Sequence, residues 1–270
     1  MDTSIYQTKK TIKLGTDDIA VMEDFVATEF PFTIMLNGTE FATIVCTPEN
    51  LRELAIGFLA SEGMIRSIDD IKTMHVDNSR GFAHIELNKP LPAAEWDHSK
   101  RFIGSCCGKS RQFYFKSDVQ TARTITHTFT VTKEQCTTMM KTLQEKSNDF
   151  KKTGGVHNAA LCTRDELLLI RTDIGRHNAL DKIFGSMIEH NISAAEKLIA
   201  FSGRISSEVL LKVSKIGIGM IISTSAPTNL AIELAGDLGI TAIGFARGNK
   251  MNVYTHPERM METKDLKITD

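Results

Sequence analysis

The chain has no apolar run long enough to cross a bilayer, which argues against a membrane-spanning helix. Its opening residues, MDTSIYQTKK, lack the apolar core of a secretory signal. Net charge is almost absent: 32 basic and 33 acidic residues leave −1 at pH 7. No global field therefore draws the protein to nucleic acid or to an acidic membrane surface. Cysteine is sparse, with five residues at positions 46, 106, 107, 136 and 162 in no regular framework. That excludes a disulfide scaffold and favours a reducing, cytoplasmic setting. Internal repeats and low-complexity segments are also missing. What remains is an ordinary globular composition, 41% hydrophobic and 24% charged, over 270 residues. That length suits one large domain or two of common size.

Two of the few cysteines are adjacent. Cys106 and Cys107 sit in RFIGSCCGKSRQFYF, flanked by Gly104, Ser105 and Gly108 and by the cations Arg101, Lys109 and Arg111. A thiolate is the reactive form of cysteine, and nearby positive charge favours it. Glycines give such a loop freedom and let a partner approach the backbone. Neighbouring Cα atoms stand about 3.8 Å apart, below the usual disulfide span, so a structural bridge within the pair is disfavoured. The stretch suits a reactive thiol on a mobile, basic loop; two small residues in a buried turn is the other reading. Residues 104–110 read G-x-x-x-G-K-S, one residue short of a Walker loop, and the aromatic RQFYF that follows resembles a strand where a phosphate loop needs a helix.

Before this stretch the chain reads as β-rich with one helix. Alternating apolar residues mark strands in KKTIKLG, DDIAVMEDFV, FTIMLNGTEFATIVC and MHVDNSRGFAHIEL, with Asn37-Gly38 as a hairpin turn. A helix is expected over 48–65, capped by Thr47 with Pro48 at its first position, and with Arg52, Glu53 and Glu62 on its solvated side. Residues 88–99 read as a connector. A boundary is expected near 122–128. Beyond it an amphipathic helix over 133–153 ends at Gly154-Gly155, and Cys136, Met139, Met140 and Leu143 are expected in the core. Two strands, VHNAALC and LLLIRTD, form a hairpin through TRDE. Then come helix 177–190, strand 197–202, helix 206–216, strand 219–224, helix 228–237, strand 241–247 and a short final strand, MNVYT. This order predicts a layered α/β domain with a largely parallel sheet.

Four polar stretches fall at or near the ends of these strands: DIGRHNALDK, SGRISSE, STSAPTN and FARGNK. Ligands of open α/β sheets bind outside the carboxyl ends of the strands. If the four loops share that edge, they bring Arg176, His177, Asn178 and Arg204 together with Ser206, Ser225, Thr228, Arg247 and Lys250, and Gly203 and Gly248 allow backbone approach. Ser206 and Thr228 stand near helix starts, where free N–H groups accept anions. The set describes a pocket for a large phosphorylated ligand, gripped by arginine. Plainer roles exist for several members: Asp173 as a helix cap, Asp181 and Lys182 on a solvated helix face, Asn229 in a turn, His157 as a hydrogen-bonded core histidine.

Taken together, GSCCGKS, GGVHNAAL, DIGRHNALDK, FSGRISSE, STSAPTNLAIELA and GFARGNKMNVYTHPER resemble the FdhD family of formate dehydrogenase accessory sulfurtransferases. The resemblance covers nearly the whole chain and is most specific over 104–259. It implies a carrier that takes persulfide sulfur from a cysteine desulfurase. The sulfur then passes to the molybdenum bis(molybdopterin guanine dinucleotide) cofactor before that cofactor enters formate dehydrogenase. GDP would mimic one end of this substrate. The family's loop cysteines correspond to Cys106 and Cys107, although many members separate the two by two residues; the C-G-K ending aligns Cys107 with the second of them. The family's cofactor segment matches FARGNK: Phe245, Ala246, Arg247, Gly248, Asn249 and Lys250. The resemblance further implies a homodimer and an α+β chain overall. Residues 1–125 would form a smaller β-rich α+β domain ending in the cysteine loop. Residues 126–270 would form a three-layer α/β/α domain like that of cytidine deaminase. A working zinc deaminase is not expected, because His157 is followed by Asn158 and Ala159 and no P-C-x-x-C comes after it. The rival reading from another class is a cofactor-binding chaperone with inert cysteines.

Overall fold

The structure is a computed structural model that describes residues 4–16, 18–89, 101–103 (backbone alone), 122–126 and 129–263. The cysteine pair and its neighbours Lys109 and Arg111, the RQFYF segment and the connector from 90 onward lie outside the described residues. Among the described residues no helix is long and apolar enough to cross a membrane.

The chain opens with an antiparallel hairpin, β1 (Tyr6–Leu14) and β2 (Ile19–Ala27). A five-stranded sheet follows, built from β3 (Phe30–Leu36), β4 (Thr39–Cys46), β5 (Ile71–Asp77), β6 (Phe82–Leu87) and β7 (Arg101–Ile103) in the order β5-β6-β3-β4-β7. Asn37 and Gly38, both at positive φ, make the expected two-residue turn between β3 and β4. The stretch that begins at Arg101 was expected as loop; its first three residues instead form β7, parallel to β4 with Ile103 opposite Ile44.

Helix α1 (Leu51–Ser61) is shorter than expected, and Thr47 does not cap it. Asn50 occupies the N-cap in a left-handed conformation, with no side-chain cap. Nearly all of α1 is buried, because one side covers the five-stranded sheet and the other meets a helix of the second half. Two of the three charged residues placed on a solvated side are therefore inside. Glu53 is buried against Arg171, and Glu62 is also buried; Arg52 alone stays exposed, 2.5 Å from Glu189.

The second half supplies a six-stranded sheet in the order β13-β12-β11-β10-β8-β9. Its strands are β8 (His157–Cys162), β9 (Leu167–Asp173), β10 (Leu198–Phe201), β11 (Met220–Ser223), β12 (Thr241–Arg247) and β13 (Lys250–Val253). β10, β11 and β12 are parallel, and β10 and β11 are buried throughout, which is why LIAF and MIIS read as apolar runs. Three helices cover one face: α4 (Arg176–Glu189), α5 (Ser207–Ile216) and α6 (Asn229–Leu238). The other face packs on α2 (Lys133–Lys146) through Cys136, Met139, Met140 and Leu143, the core residues the pattern predicts. The helix expected over 133–153 is broken at Ser147, and α3 (Asn148–Thr153) follows it. Ser147 turns its hydroxyl back on the Leu143 carbonyl at 2.5 Å, a local bond that competes with helix continuation. The architecture is α/β, three layers in the second half with a further sheet beneath α1.

The halves meet where α1 crosses α4. A Cβ on Gly57 would overlap the Asp181 carbonyl oxygen, and one on Gly185 would overlap that of Glu53. Backbones in direct contact leave room only for glycine.

Candidate functional site

The four polar loops do share an edge. β8 runs against β10, so its first residue, His157, comes to the carboxyl ends of the parallel strands; Asp173, the last residue of β9, pairs with it in register. Hydrogen bonds lace the loops together. Ser202 and Asn158 exchange bonds of 2.9 and 3.0 Å, Thr224 and Ser225 donate to the Ser202 carbonyl, and Ser223 donates to that of Gly203. Ile205 donates to Ala226, Thr228 to Ile205, and Phe245 to Ser225, all through the backbone. Gly203 fits closely here, since a Cβ would lie 3.0 Å from the Phe201 ring and 3.4 Å from the Arg176 side chain.

Three helices begin at this edge. Ser206 caps α5 and Thr228 caps α6, each by accepting from the backbone N–H three residues on. α4 starts at Gly175 with no side-chain cap. Neither α4 nor α6 has an acidic residue in its first turn. At α6 the N-terminal partial charge is thus uncompensated by a local carboxylate, as suits an anion; at α4 the Asp173 carboxylate accepts from the Gly175 N–H just before the first turn. α5 differs: Glu208 lies there, with its carboxylate 3.2 Å from Nε2 of His177.

The basic residues fall into two groups. Arg204, Arg247 and Lys250 are exposed around the edge, and Arg247 Nε donates to the Thr224 carbonyl at 3.0 Å, which orients its guanidinium. Arg176 and His177 are half-buried in the first turn of α4. Phe245 is the most unusual member. It is 46% exposed, its φ is 52°, and it lies where the β12–β13 register shifts. A bulky residue rarely takes that conformation, and a bulge re-aims side chains, so the ring is held outward against local preference. Gly248, at φ 54°, and Asn249 complete the turn into β13. Ala246 points the other way, into the core on α2, and offers the edge only its backbone.

Asn178 faces inward as well. Its amide donates to the Val45 carbonyl at 3.0 Å and to Asp173 Oδ1 at 2.9 Å. Asp173 is fully buried and does more than cap: it also meets Lys182 at 2.8 Å. Lys182 and Asp181, expected on a solvated face, are both buried, and Asp181 pairs with Lys212 at 2.6 Å and with the Ser61 hydroxyl. The reason is α1, which covers a helix face that would otherwise meet water. Sequence reasoning missed Thr47 and Lys182. The signal was present in α4, where Lys182 shares a helical stripe with Ala179, Ile183 and Ser186. His157 is only partly buried, and its pKa is pushed down by burial and then by Arg176, with Asp173 opposing.

Cys46, Cys136 and Cys162 are buried free thiols. Burial pushes the latter two up to about 12 and raises Cys46 further still. None is poised as a thiolate.

Comparisons with known proteins give the chain its relatives. The FdhD/NarQ family profile matches residues 27–261. The chain is 59% identical over 240 residues to the sulfur carrier protein FdhD of Geobacillus kaustophilus, covering 88% of this chain and 91% of that one. It is 56% identical over 245 residues to the protein of the same name from Bacillus subtilis, covering 91% and 94%. A crystal structure from Desulfotalea psychrophila, described as a candidate formate dehydrogenase accessory protein, superposes with a TM-score of 0.78 at 24% identity, over 96% of this chain and 100% of that one. This last likeness concerns the fold alone.

Proposed function

The chain belongs to the FdhD/NarQ family, and on that premise we propose that it is a cytoplasmic sulfur carrier serving the maturation of formate dehydrogenase. A thiolate at Cys106 or Cys107 attacks the outer sulfur of a cysteine desulfurase persulfide. The donor S–S bond breaks, the desulfurase cysteine leaves as thiolate, and the sulfur remains on the carrier as a new persulfide. The cations Arg101, Lys109 and Arg111 favour the attacking anion. Residues 1–125 carry the thiol and residues 126–270 hold the substrate, the molybdenum bis(molybdopterin guanine dinucleotide) cofactor that receives the sulfur. The same reading makes formate dehydrogenase the final recipient and assembles the chain as a homodimer.

The observation that carries the ligand half is Phe245, an exposed ring on a left-handed backbone two residues from the exposed Arg247. Aromatic rings stack on bases and arginines grip phosphates, so the edge suits a guanine nucleotide end. The three buried cysteines support the thiol half by elimination, since their raised pKa values leave Cys106 and Cys107 as the carriers.

The test is sulfur acceptance. The purified protein, incubated with a cysteine desulfurase and sulfur-labelled cysteine, should take up label that a reductant releases. Cys106→Ala and Cys107→Ala, tested singly and together, should abolish uptake in at least one case. If the double variant still takes up label, the assignment of the carrier thiol to this pair is wrong; if it takes up none and still activates formate dehydrogenase, the carrier reading is wrong. A protein that never takes up label but binds GDP is a chaperone.

A further inference from the structure

The carboxylate of Asp173 receives five contacts in a site closed to solvent. Oδ1 accepts from the Gly175 backbone N–H at 2.8 Å and from the Asn178 amide at 2.9 Å. Both donors belong to the start of α4, the turn that carries Arg176 and His177. Oδ2 faces the other half of the chain. The Thr47 N–H donates to it at 3.0 Å, the Thr47 hydroxyl stands at 3.2 Å, and the Lys182 ammonium lies 2.8 Å away. Lys182 also donates to the Thr47 hydroxyl at 2.7 Å and to the Thr172 carbonyl at 3.0 Å. Thr47 directly follows β4, the strand beside which β7 runs.

A helix cap needs one acceptor and no buried cation. Taking a carboxylate and an ammonium out of water costs several kcal/mol per ion, and apolar replacements are often as stable. Stability is thus a weak account of this cluster. Its distinctive property is that one rigid group is shared by two parts of the chain, one oxygen for each.

We propose that Asp173 is a positioning residue: with Lys182 and Thr47 it fixes the anion-facing turn of α4 against the end of β4, and ligand affinity at the strand edge depends on that placement. The inference rests on the reading of the edge as a site for a phosphorylated ligand. Asparagine cannot replace the carboxylate, because its NH2 would face N–H donors on one side or the other.

The experiment compares wild type with Asp173→Asn/Lys182→Met, in which both charges are removed so that none is left buried alone. Thermal melting reads the fold, and calorimetric titration with GDP reads the site. The expected result is a protein that still melts cooperatively, at a lower temperature because an NH2 now faces buried N–H donors, and whose folded state binds GDP at least ten-fold more weakly; a purely structural role would lower the melting temperature and leave the affinity of the folded protein unchanged. A folded double variant that binds GDP like wild type overturns the inference alone. A wild-type protein that does not bind GDP overturns the ligand reading, and the inference with it. Should the double variant fail to fold, Thr47→Val keeps both charges and nearly the same shape. It should remain folded and bind GDP several-fold more weakly, and unchanged affinity there counts against the proposal just as firmly.

Discussion

A Cβ placed on Gly57 of α1 would lie 2.7 Å from the backbone nitrogen of Gly185 in α4, closer than real Cβ atoms approach anything. The atoms in the way are backbone, which cannot rotate aside. Gly57→Ala and Gly185→Ala should each destabilise the protein by about 3 kcal/mol or more, at or beyond the top of the usual overpacking range. Denaturant unfolding of the two variants measures this. Gly236→Ala is the control: it lies within a helix with nothing near its added methyl, so it should be neutral or slightly stabilising.

The proposed nucleotide site at the strand edge makes a prediction in which affinity and stability part company. Arg247→Ala should weaken GDP binding by roughly ten- to a hundred-fold, the effect of about 1.5–3 kcal/mol from one charged phosphate contact. Phe245→Gly relieves a left-handed backbone and should therefore stay within about 1 kcal/mol of wild-type stability, yet lose a stacking surface typically worth about 1–3 kcal/mol. Lys109→Ala should leave binding nearly unchanged if, as proposed, that lysine serves the thiol. Calorimetry with GDP on all three separates the strand edge from the near-Walker stretch. Loss of binding in Lys109→Ala alone would move the nucleotide site to the cysteine segment.

His157 gives the stability a pH dependence of defined sign. Its folded-state pKa lies below the ordinary value of 6.5, chiefly through burial. The unfolded chain therefore takes up a proton that the folded chain resists. The stability linked to His157 is fully present above about pH 6.5 and is lost as pH falls through the lowered folded value. His157→Gln should flatten the stability curve across that window and leave it unchanged near pH 8. Urea unfolding midpoints at several pH values provide the check.

The buried thiols should be silent in sulfur chemistry. With pKa values of about 12, Cys136 and Cys162 are protonated at any working pH. Iodoacetamide at pH 8 should modify Cys106 and Cys107 in the native protein and reach Cys46, Cys136 and Cys162 only after unfolding. Cys136→Ala and Cys162→Ala should each cost about 1–2 kcal/mol of stability, by loss of buried volume, while sulfur uptake continues. Peptide mapping after alkylation would reveal the opposite pattern at once.

These effects divide along the line of what local pattern can reveal. The β8–β9 hairpin, the αβ units, the helix starts near Ser206 and Thr228 and the Asn37-Gly38 turn were all legible, because each depends on neighbours in the chain. The gathering of four polar loops on one edge was legible too, since parallel strands end on the same side. Glu53, Asp181 and Lys182 were misread for the opposite reason. A charged residue on a helix is normally solvated, and what buries these three is a crossing between helices that are over a hundred residues apart in sequence. Thr47 shows the same limit: it looks like a cap for the helix it precedes, yet its hydrogen bonds go to Asp173 and Lys182.

The β1–β2 hairpin has a practical consequence. Its base is secured by Lys152, which donates to the Tyr6 hydroxyl at 2.7 Å and sits 4.7 Å from that ring. Toward the tip, Ile12, Leu14, Ile19 and Val21 are 64–77% exposed, and the paired register sets all four on one face. The tip closes through the Gly15 N–H on the Asp18 carbonyl at 2.8 Å. An affinity tag or fluorophore grafted between residues 15 and 18 would therefore sit in a turn between exposed strands, outside the five- and six-stranded sheets. That spot is a convenient handle for immobilising the carrier or for following its encounters with donor and recipient by energy transfer.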